Sequence, residues 1–436
     1  MPSNAIQKTV AFDRESAFAD PDGDGTAKDW DSLTANGAVI NCRNLDYSKI
    51  KRPKIPNPNI VQRAGATRAG ILGLRGHEFS FDTDWSEGST NAAEGAQAAR
   101  IAQDELLFNA LGGEHRGYAA GLAGGTASAP TVEDADGDNL EPYGWSFFVD
   151  SGSGFGEFAC YSVVAEGVGS DTLTMASGHT LSFVPDAGGA DTAYAVVAHY
   201  PDWDALEDHT HANHTSLCFF FKGRHAEHSV ESLGDALSVE MGPIEQGTPG
   251  ELKWSGMGCD FSDNGISQPS LDDTPAGGPG SVIGSGIATI CHFATAGAAL
   301  ATQTFWGAVQ VTVGIKKDPV TGPNGREGKH GYGLTEDSYN ATKVEVTVPF
   351  DDALIAEYHA DTRKHLRIQI GRTVGDARFV YFPHLEYADT PEKVSVGGRD
   401  ALKLTFNALE REVAQGSMTA AQYHLARAKM IIGRVG

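Results

Sequence analysis

Short segments in which apolar and polar residues alternate limit the fold of this sequence more than any other feature. In GHEFSFDTDW (76–85), His77, Phe79 and Phe81 alternate with acidic and hydroxyl residues, and ATKVEVTVPF (341–350) has the same period of two. This period is typical of a strand with one buried face. The 53 glycines supply many turns. The sequence therefore predicts a mainly β protein with a few short helices.

The length and the charge exclude several classes of protein. A chain of 436 residues with 40% hydrophobic content is long enough for about two to four domains with real cores. The net charge of -24 argues against a surface that grips nucleic acid through clustered Lys and Arg. It allows a surface past which nucleic acid slides without sticking.

The first residues and the cysteines predict assembly in a reducing compartment. Residues 1–12 have no basic segment followed by an apolar one, and no window approaches about 18 uninterrupted apolar residues, so we expect neither secretion nor a membrane span. The five cysteines are scattered and never form a CxxC pair. This spacing argues against a disulfide framework and against a zinc knuckle.

The predicted order strand, helix, strand, strand, turn, strand occurs twice. The first tube-like unit covers 69–112 and 214–262, and the second covers 304–410. Their last strands look alike locally, with ELKW (251–254) beside ALKL (401–404). An internal duplication of a β unit is the simplest account of this order.

An acidic insertion, residues 113–213, interrupts the first unit. From Gly117 to Phe221 there is no Lys or Arg, against fifteen Asp and Glu residues. Short alternating segments inside it predict a small inserted β domain. The rest of the chain is expected to form an extended N-terminal arm (1–68), a Gly/Pro-rich linker (263–303) and a helical C-terminal tail (411–436).

Five histidines lie close together in EDHTHANHTSLCFFFKGRHAEH (207–228). Neutral imidazoles at such spacing can bind a divalent metal. However, a predicted strand, SLCFFFKGR, separates His209 and His211 from His225 and His228. At about 3.3 Å per residue this strand keeps the two groups roughly 25 to 30 Å apart unless the chain doubles back. We therefore expect polar strand ends here and no metal site.

The remaining candidate motifs are weaker. The Asp-rich segments DPDGDG (20–25) and EDADGDNLE (133–141) do not match an EF-hand and predict turns. GPNGREGKHGYG (322–333) lacks the end of a P-loop and predicts a hairpin tip. Asp351 and Asp352 are expected at the start of a helix, with Asp351 as its cap. The sequence thus predicts no catalytic residue, no cofactor, no metal ligand and no enzyme activity.

Two long segments resemble tail tube proteins of long-tailed, siphovirus-like bacteriophages and related viruses. They are HSVESLGDALSVEMGPIEQGTPGELKWSGMG (228–258) and the region from KVEVTVPFDDALIAEYHA to ALKLTFNALE (343–410). In those families an acidic strand leads through a Gly/Pro turn to a strand of alternating apolar residues. The resemblance implies duplicated β-sandwich or barrel units, each with a flanking helix. It also implies a structural virion protein that forms a tube for genome passage during DNA ejection.

The resemblance further implies partners and a location. A chain with two tube-like units would form rings of three subunits with six-fold pseudo-symmetry, and a hexamer is the alternative. Stacked rings would contact other tail proteins, namely the terminator, the tape measure and the distal tail. Double-stranded DNA would pass through the lumen without specific binding. The protein would assemble in the host cytoplasm and reside in the virion tail, with the acidic insertion on the outer surface.

Two other functions stay open on sequence alone. One is a different structural virion protein, such as a tail terminator, a distal tail component or a capsid protein, which would need neither two units nor a tube. The other is a metal-dependent enzyme built on a β-sandwich, which the histidines and the acidic, Gly-rich composition would suggest. Metal analysis and replacement of His209, His211 and His225 would test the enzyme.

Overall fold

A computed structural model of the protein describes most of the chain and is mainly β, as predicted. The described residues are 9–15, 38–40, 42–51, 54–55, 71–72, 76–85, 95–98, 100–133, 140–152, 155–186, 191–202, 216–222, 229–245, 247, 250–258, 260–262, 289–320, 331–336, 342–371 and 377–435. Within these ranges there are 28 strands and three short helices. None of these helices has the length and apolar content that a membrane span requires.

The elements follow one another in four stretches of the chain. The first contains β1 (Thr9–Arg14), β2 (Ala38–Ile40), β3 (Arg43–Lys51), β4 (Lys54–Ile55), β5 (Ile71–Leu72), β6 (Gly76–Asp84) and helix α1 (Ala102–Leu111). The second contains β7 (Gly112–Arg116), β8 (Ala120–Thr126), β9 (Ala129–Glu133), β10 (Gly144–Asp150), β11 (Phe155–Ala165), β12 (Ser170–Met175), β13 (Thr192–Tyr194) and β14 (Val196–Pro201). The third contains β15 (Leu217–Lys222), β16 (Ser229–Met241), β17 (Glu251–Gly258) and β18 (Asp260–Ser262). The fourth contains β19 (Thr289–Thr295), β20 (Gln310–Thr312), β21 (Ile315–Val320), β22 (Gly331–Glu336), β23 (Lys343–Pro349), α2 (Asp352–His359), β24 (Lys364–Ile370), β25 (Arg378–Tyr387), β26 (Glu392–Val396), β27 (Arg399–Leu409), α3 (Ala420–Arg427) and β28 (Ile431–Val435).

Two large sheets contain series of six strands in the same order. The N-terminal set, in an eight-stranded sheet, runs β1-β15-β16-β17-β6-β3. The C-terminal set, in a ten-stranded sheet, runs β19-β24-β25-β27-β23-β20. All neighbours in both sets are antiparallel. A helix follows β6 in one set and β23 in the other, which places α1 and α2 at matching points of the chain.

The two sets also share an irregularity. The register between β15 and β16 shifts between Leu217 and Phe219, and the register between β24 and β25 shifts between Lys364 and Leu366. Each shift adds one residue to the longer strand, as a β-bulge does, and such a bulge bends the strand. Beyond the bend, β16 pairs with β17 and β25 pairs with β27.

One apolar core joins the inner faces of both sets. Alternate residues of β6 and β23 point into it, including Phe79, Phe81, Val344 and Val346. Trp254 of β17 stacks on Phe81, with ring centroids 6.3 Å apart. Because the same core also contains residues of helix α1, the two sets and this helix pack as one body.

The acidic region contains a closed six-stranded barrel, in the order β10-β11-β12-β9-β8-β13. The barrel has its own apolar interior, which includes Leu122, Phe148 and Leu173. The outside of the barrel packs on the outer face of the C-terminal set, where the Phe158 and Phe379 ring centroids lie 4.0 Å apart. The barrel lies within the region where the sequence predicts a small inserted β domain.

The boundaries differ from those predicted. β7 and β14, inside the predicted insertion 113–213, extend the ten-stranded sheet, because β14 pairs with both β28 and β7. The predicted linker 263–303 contains β19, and the predicted arm 1–68 contains β1, whose buried Val10 and Phe12 join the core. In the predicted helical tail 411–436, α3 is the only helix among the described residues 411–435, since the apolar residues of β28 form a strand of the ten-stranded sheet.

Candidate assembly surfaces

The outer side of β6 and β17 is a polar sheet face. On β6, Glu78, Ser80, Asp82 and Asp84 alternate with the core residues and are half-buried. Lys253 and Ser255 lie on the same side of β17 and are exposed. This surface exists because strict alternation sends every second side chain away from the core.

The matching strands of the C-terminal set have the same kind of face. β23 presents Lys343, Glu345 and Thr347, and β27 presents Lys403 and Thr405. Lys403 Nζ lies 2.8 Å from Glu345 Oε2, and this hydrogen bond raises the pKa of Lys403. We call the two surfaces together the polar faces.

The charges of the polar faces are mixed and largely paired. Arg43 contacts Asp84 and Glu251, and Lys253 Nζ lies 3.7 Å from Glu251. Phosphate binding needs cations that are free to replace counterions along the backbone. Cations that already contact carboxylates are poorly suited to this, so these faces suit a surface that nucleic acid passes without being held.

A backbone connection joins the end of the N-terminal set to the edge of the C-terminal set. Ile244, which follows β16, exchanges two hydrogen bonds with Val309, with N–O distances of 2.9 and 3.0 Å. Glu240 accepts a hydrogen bond from the Val313 amide at 3.1 Å. β16 also packs against β20 and β21. We call this contact the seam; it fixes one set against the next within the chain.

A buried ion pair ties helix α1 to the C-terminal strand. Asp104 accepts two hydrogen bonds from Arg434 Nε, at 3.1 and 2.9 Å, and His199 Nε2 lies 3.5 Å from its Oδ1. All three side chains are almost fully buried. Burial alone would raise the pKa of Asp104, but the Arg434 guanidinium holds it well below its usual range. The pair is charged and links α1 directly to β28.

Polar residues also lie between the barrel and the C-terminal set. Arg367 Nη2 lies 3.9 Å from Glu157 Oε2, and Gln369 donates to the Gly156 carbonyl at 3.2 Å. Burial lowers the pKa of His365 to about 4 and that of His179 well below its usual value. These histidines are therefore neutral in the folded protein near pH 7, and their protonation opposes docking of the barrel.

A cavity of about 300 Å³ lies where α3 meets β7, β14 and the segment before β10. Its lining includes Glu114, Glu141, Tyr200 and Gln422. Gln422 Nε2 donates to Glu141 at 2.7 Å, and the Tyr200 hydroxyl donates to the Ala421 carbonyl at 3.1 Å. These bonds run between the elements that border the cavity, so they hold α3 against the barrel and the sheet.

Most of the motif residues considered in the sequence lie outside the described residues. This applies to the five histidines of 207–228, to 20–25, to 134–139 and to 322–330. Asp351 is described and caps α2, because its side chain accepts from the Ala353 amide at 2.9 Å. Among the described side chains, no group of three or more His, Cys, Asp or Glu is arranged to hold a metal ion.

The polar faces and the ion pair are functional candidates that none of the sequence motifs indicates. The alternation around Phe79 and Val344 does contain the signal for the polar faces, because the residues between the apolar ones must point outward. The partnership of Asp104 and Arg434 spans 330 residues and follows no local pattern.

Comparisons with known proteins leave the function to be argued from these surfaces. No protein-family model matches the sequence, and no curated protein matches it.

Proposed function

We propose that this protein is a tail tube subunit, a structural virion protein whose rings stack around a channel for DNA. The observation that carries the proposal is the shared strand order, helix position and bulge of the N-terminal and C-terminal sets. Two copies of one β unit in a chain are what a ring of three subunits with six-fold pseudo-symmetry would need. Head-to-tail contacts between such units close into rings when the rotation per unit allows it.

The register supports descent of both sets from one unit. Ala236 lies opposite Met257, and Glu386 lies opposite Asn407, so both strands of the pair are separated from their counterparts by 150 residues. The same spacing relates ELKW (251–254) to ALKL (401–404). A match in strand order, in register and in local sequence is more than antiparallel sheets share by default.

In this proposal the polar faces line the channel. They lie opposite the shared core on equivalent strands of both sets, and their cations largely contact carboxylates. A lining of this kind lowers the friction on a sliding polyanion. The acidic barrel covers the outer face of β24 and β25, which supports its position on the outer wall, because about 75 residues would block a lumen only slightly wider than a duplex.

Electron microscopy of the purified protein tests the proposal directly. We expect tubes or stacked rings whose mass, from native mass spectrometry of single rings, corresponds to three chains. Single rings that never stack would instead favour a terminator or distal tail component. A monomer under all salt and concentration conditions would overturn the proposal.

A labelling experiment on assembled tubes tests the lining. Ser255→Cys places a thiol on a polar face, and Val168→Cys places one on the barrel, at an exposed turn. We expect a small maleimide to label both variants in tubes, whereas a maleimide carrying a long polyethylene glycol chain labels only Val168→Cys. Equal labelling of both by the long reagent would place the polar face on the outside. The wild-type tubes report the reactivity of the native cysteines.

A further inference from the structure

We infer that the end of the C-terminal set is a docking surface for the β3 edge of a second copy of this chain. The docking surface consists of Phe350, Val394, Val396 and Asp400. This inference rests on the proposed function, and it names the partner surfaces of that assembly. The seam is a contact of the same kind inside one chain.

Register identifies the positions in the two sets that correspond. Phe81 lies opposite Trp254, and Val346 lies opposite Leu404, so Phe350 occupies the place of Trp85, four residues further along the chain. The backbone agrees with this assignment. The Trp85 amide donates to the Gly250 carbonyl at 3.3 Å, and the Phe350 amide donates to the Asp400 carbonyl at 3.2 Å.

These matching aromatic residues differ sharply in exposure. Trp85 is 2% exposed, whereas Phe350 is 37% exposed. The Ile370 methyl group, which belongs to the C-terminal set, borders Gly250 beside the Trp85 ring. Trp85 therefore lies where one set meets the next. Phe350 lies at the equivalent place, where none of the described residues forms a further set to cover it and only the Lys393 ammonium is recorded over its ring, 4.9 Å from the centroid.

The residues beyond β16 and β25 show the same difference. Ile244 is buried in the seam, where it pairs with Val309. Met241 lies opposite Leu252 and Lys393 lies opposite the matching Leu402, so the residue equivalent to Ile244 is Val396, which is 38% exposed; Val394, on the same side of the strand, is half-buried. Most large apolar residues are buried in a folded protein, so adjacent apolar side chains exposed at an equivalent contact point indicate a covered surface in the assembly.

The seam also indicates what covers the docking surface. Inside the chain, the end of the N-terminal set contacts β20 and β21 of the C-terminal set. The strand that corresponds to β20 is β3, since each is the last strand beyond β6 or β23. Repeating the seam between molecules therefore brings β3 of a second copy to the docking surface.

Charge favours the same partner. Asp389, Glu392 and Asp400 are exposed on this part of the C-terminal set, where Lys393 lies 3.0 Å from Asp400, while the sequence of β3 contains Arg43, Lys49 and Lys51 and one acid, Asp46. Opposite charges across an interface guide association and set its register. The contact is head-to-tail, so it can close a ring of several copies.

Paired substitutions test the inference against the proposed function. Val396→Arg places a charge in the docking surface, and Val168→Arg places one on the barrel, where the residue is fully exposed. Both variants should keep the wild-type circular dichroism spectrum and melting temperature. We expect Val168→Arg to assemble like the wild type. Val396→Arg should remain monomeric up to concentrations at least tenfold above that at which the wild type assembles, as measured by analytical ultracentrifugation.

The outcomes separate the two ideas. If the wild type and Val396→Arg assemble equally well, the inferred interface is wrong and the tail tube proposal stands. If the wild type never assembles, both fail. A cysteine pair gives a positive readout: Val396→Cys with Lys49→Cys should form oxidised oligomers up to three chains, whereas each single variant should not exceed the wild-type background. Failure of the pair to cross-link within assembled rings would also overturn the interface.

Discussion

The N-terminal and C-terminal sets build the same sheet from different side chains. At one equivalent cross-strand pair, Phe79 lies opposite Gly256, whereas Val344 lies opposite Phe406. The Phe79 ring covers Gly256 so closely that a Cβ there would overlap it. Each set thus combines a large side chain with a smaller one, but on opposite strands. The fold depends on the combined volume and on the alternation more than on residue identity.

The helices of the two sets differ more than the strands do. Helix α1 has a buried face that includes Leu106, Leu107 and Leu111, and it contributes Asp104 to the ion pair. Helix α2 occupies the matching place in the chain but has no fully buried residue. Helix α1 therefore connects β16 of the N-terminal set with β7 and β14 of the ten-stranded sheet, while α2 lies on the surface.

Breaking the ion pair should have the largest effect. Arg434→Met leaves the Asp104 carboxylate buried beside a thioether, and we expect a loss of about 3 to 5 kcal/mol in the free energy of unfolding, measured with urea. Adding Asp104→Asn removes the unpaired buried charge and should recover much of the lost stability. If Arg434→Met alone costs less than about 1 kcal/mol, the pair does not stabilise α1 against β28.

Exchanging one cross-strand pair tests the volume argument. Gly256→Phe alone should cost about 1 to 3 kcal/mol or more, because the new ring overlaps Phe79. Adding Phe79→Val creates the pair that the C-terminal set uses and should recover most of this cost, as a double-mutant cycle would measure. Ser255→Ala, on the exposed side of the same strand, is the control and should be nearly neutral. If the stability losses of Gly256→Phe and Phe79→Val simply added in the double variant, the N-terminal set would not accept the side-chain pair that the C-terminal set uses.

Local pattern explains how much of this architecture the sequence could predict. The alternation around Phe79 predicts the strand there, and the predicted order of a strand and then a helix within 69–112 agrees with β6 followed by α1. The closure of the barrel and the place of β28 depend on pairing between distant strands. β28 has five consecutive buried residues and no alternation, because both of its faces are covered. Such a segment cannot be distinguished by period from the end of a helix.

Candidate surfaces were predictable to a similar extent. The alternation in 76–85 predicts that Glu78, Ser80 and Asp82 lie on the polar side of a strand, and they do. The docking surface needed the structure, because the sequence around Val396 does not tell which apolar residues lack cover.

A buried acid marks another difference between the sets. Asp235 of β16 is fully buried and accepts a hydrogen bond from Ser232 at 2.6 Å, whereas the equivalent residue of β25 is the buried Leu385. Burial raises the pKa of Asp235 well above its usual value, and the nearby Glu15 adds to this. The folded state therefore favours the protonated acid, and the fold loses stability as the pH rises from about 4 towards the raised pKa.

Asp235→Asn should remove this penalty. At pH 7 we expect a gain of about 1 to 2 kcal/mol, and a melting temperature several degrees higher than that of the wild type. At pH 4, where Asp235 is largely protonated in both states, the difference should nearly vanish. Melting curves between pH 4 and pH 8 measure both. A gain that is the same at every pH would mean that the effect does not come from ionisation.

The smallest effect should come from the exposed helix. Asp351 caps α2 through the Ala353 amide, so Asp351→Ala should cost at most about 1 kcal/mol. Asp352→Ala is a matched control, because Asp352 is acidic and in the first turn but is not the capping residue. It should cost about a few tenths of 1 kcal/mol. Hydrogen exchange of α2 amides detects such small changes better than global unfolding does, since an exposed helix can open without the sheets. If Asp351→Ala lowered global stability as much as Arg434→Met, α2 would have to be as firmly integrated into the core as α1, contrary to its lack of buried residues.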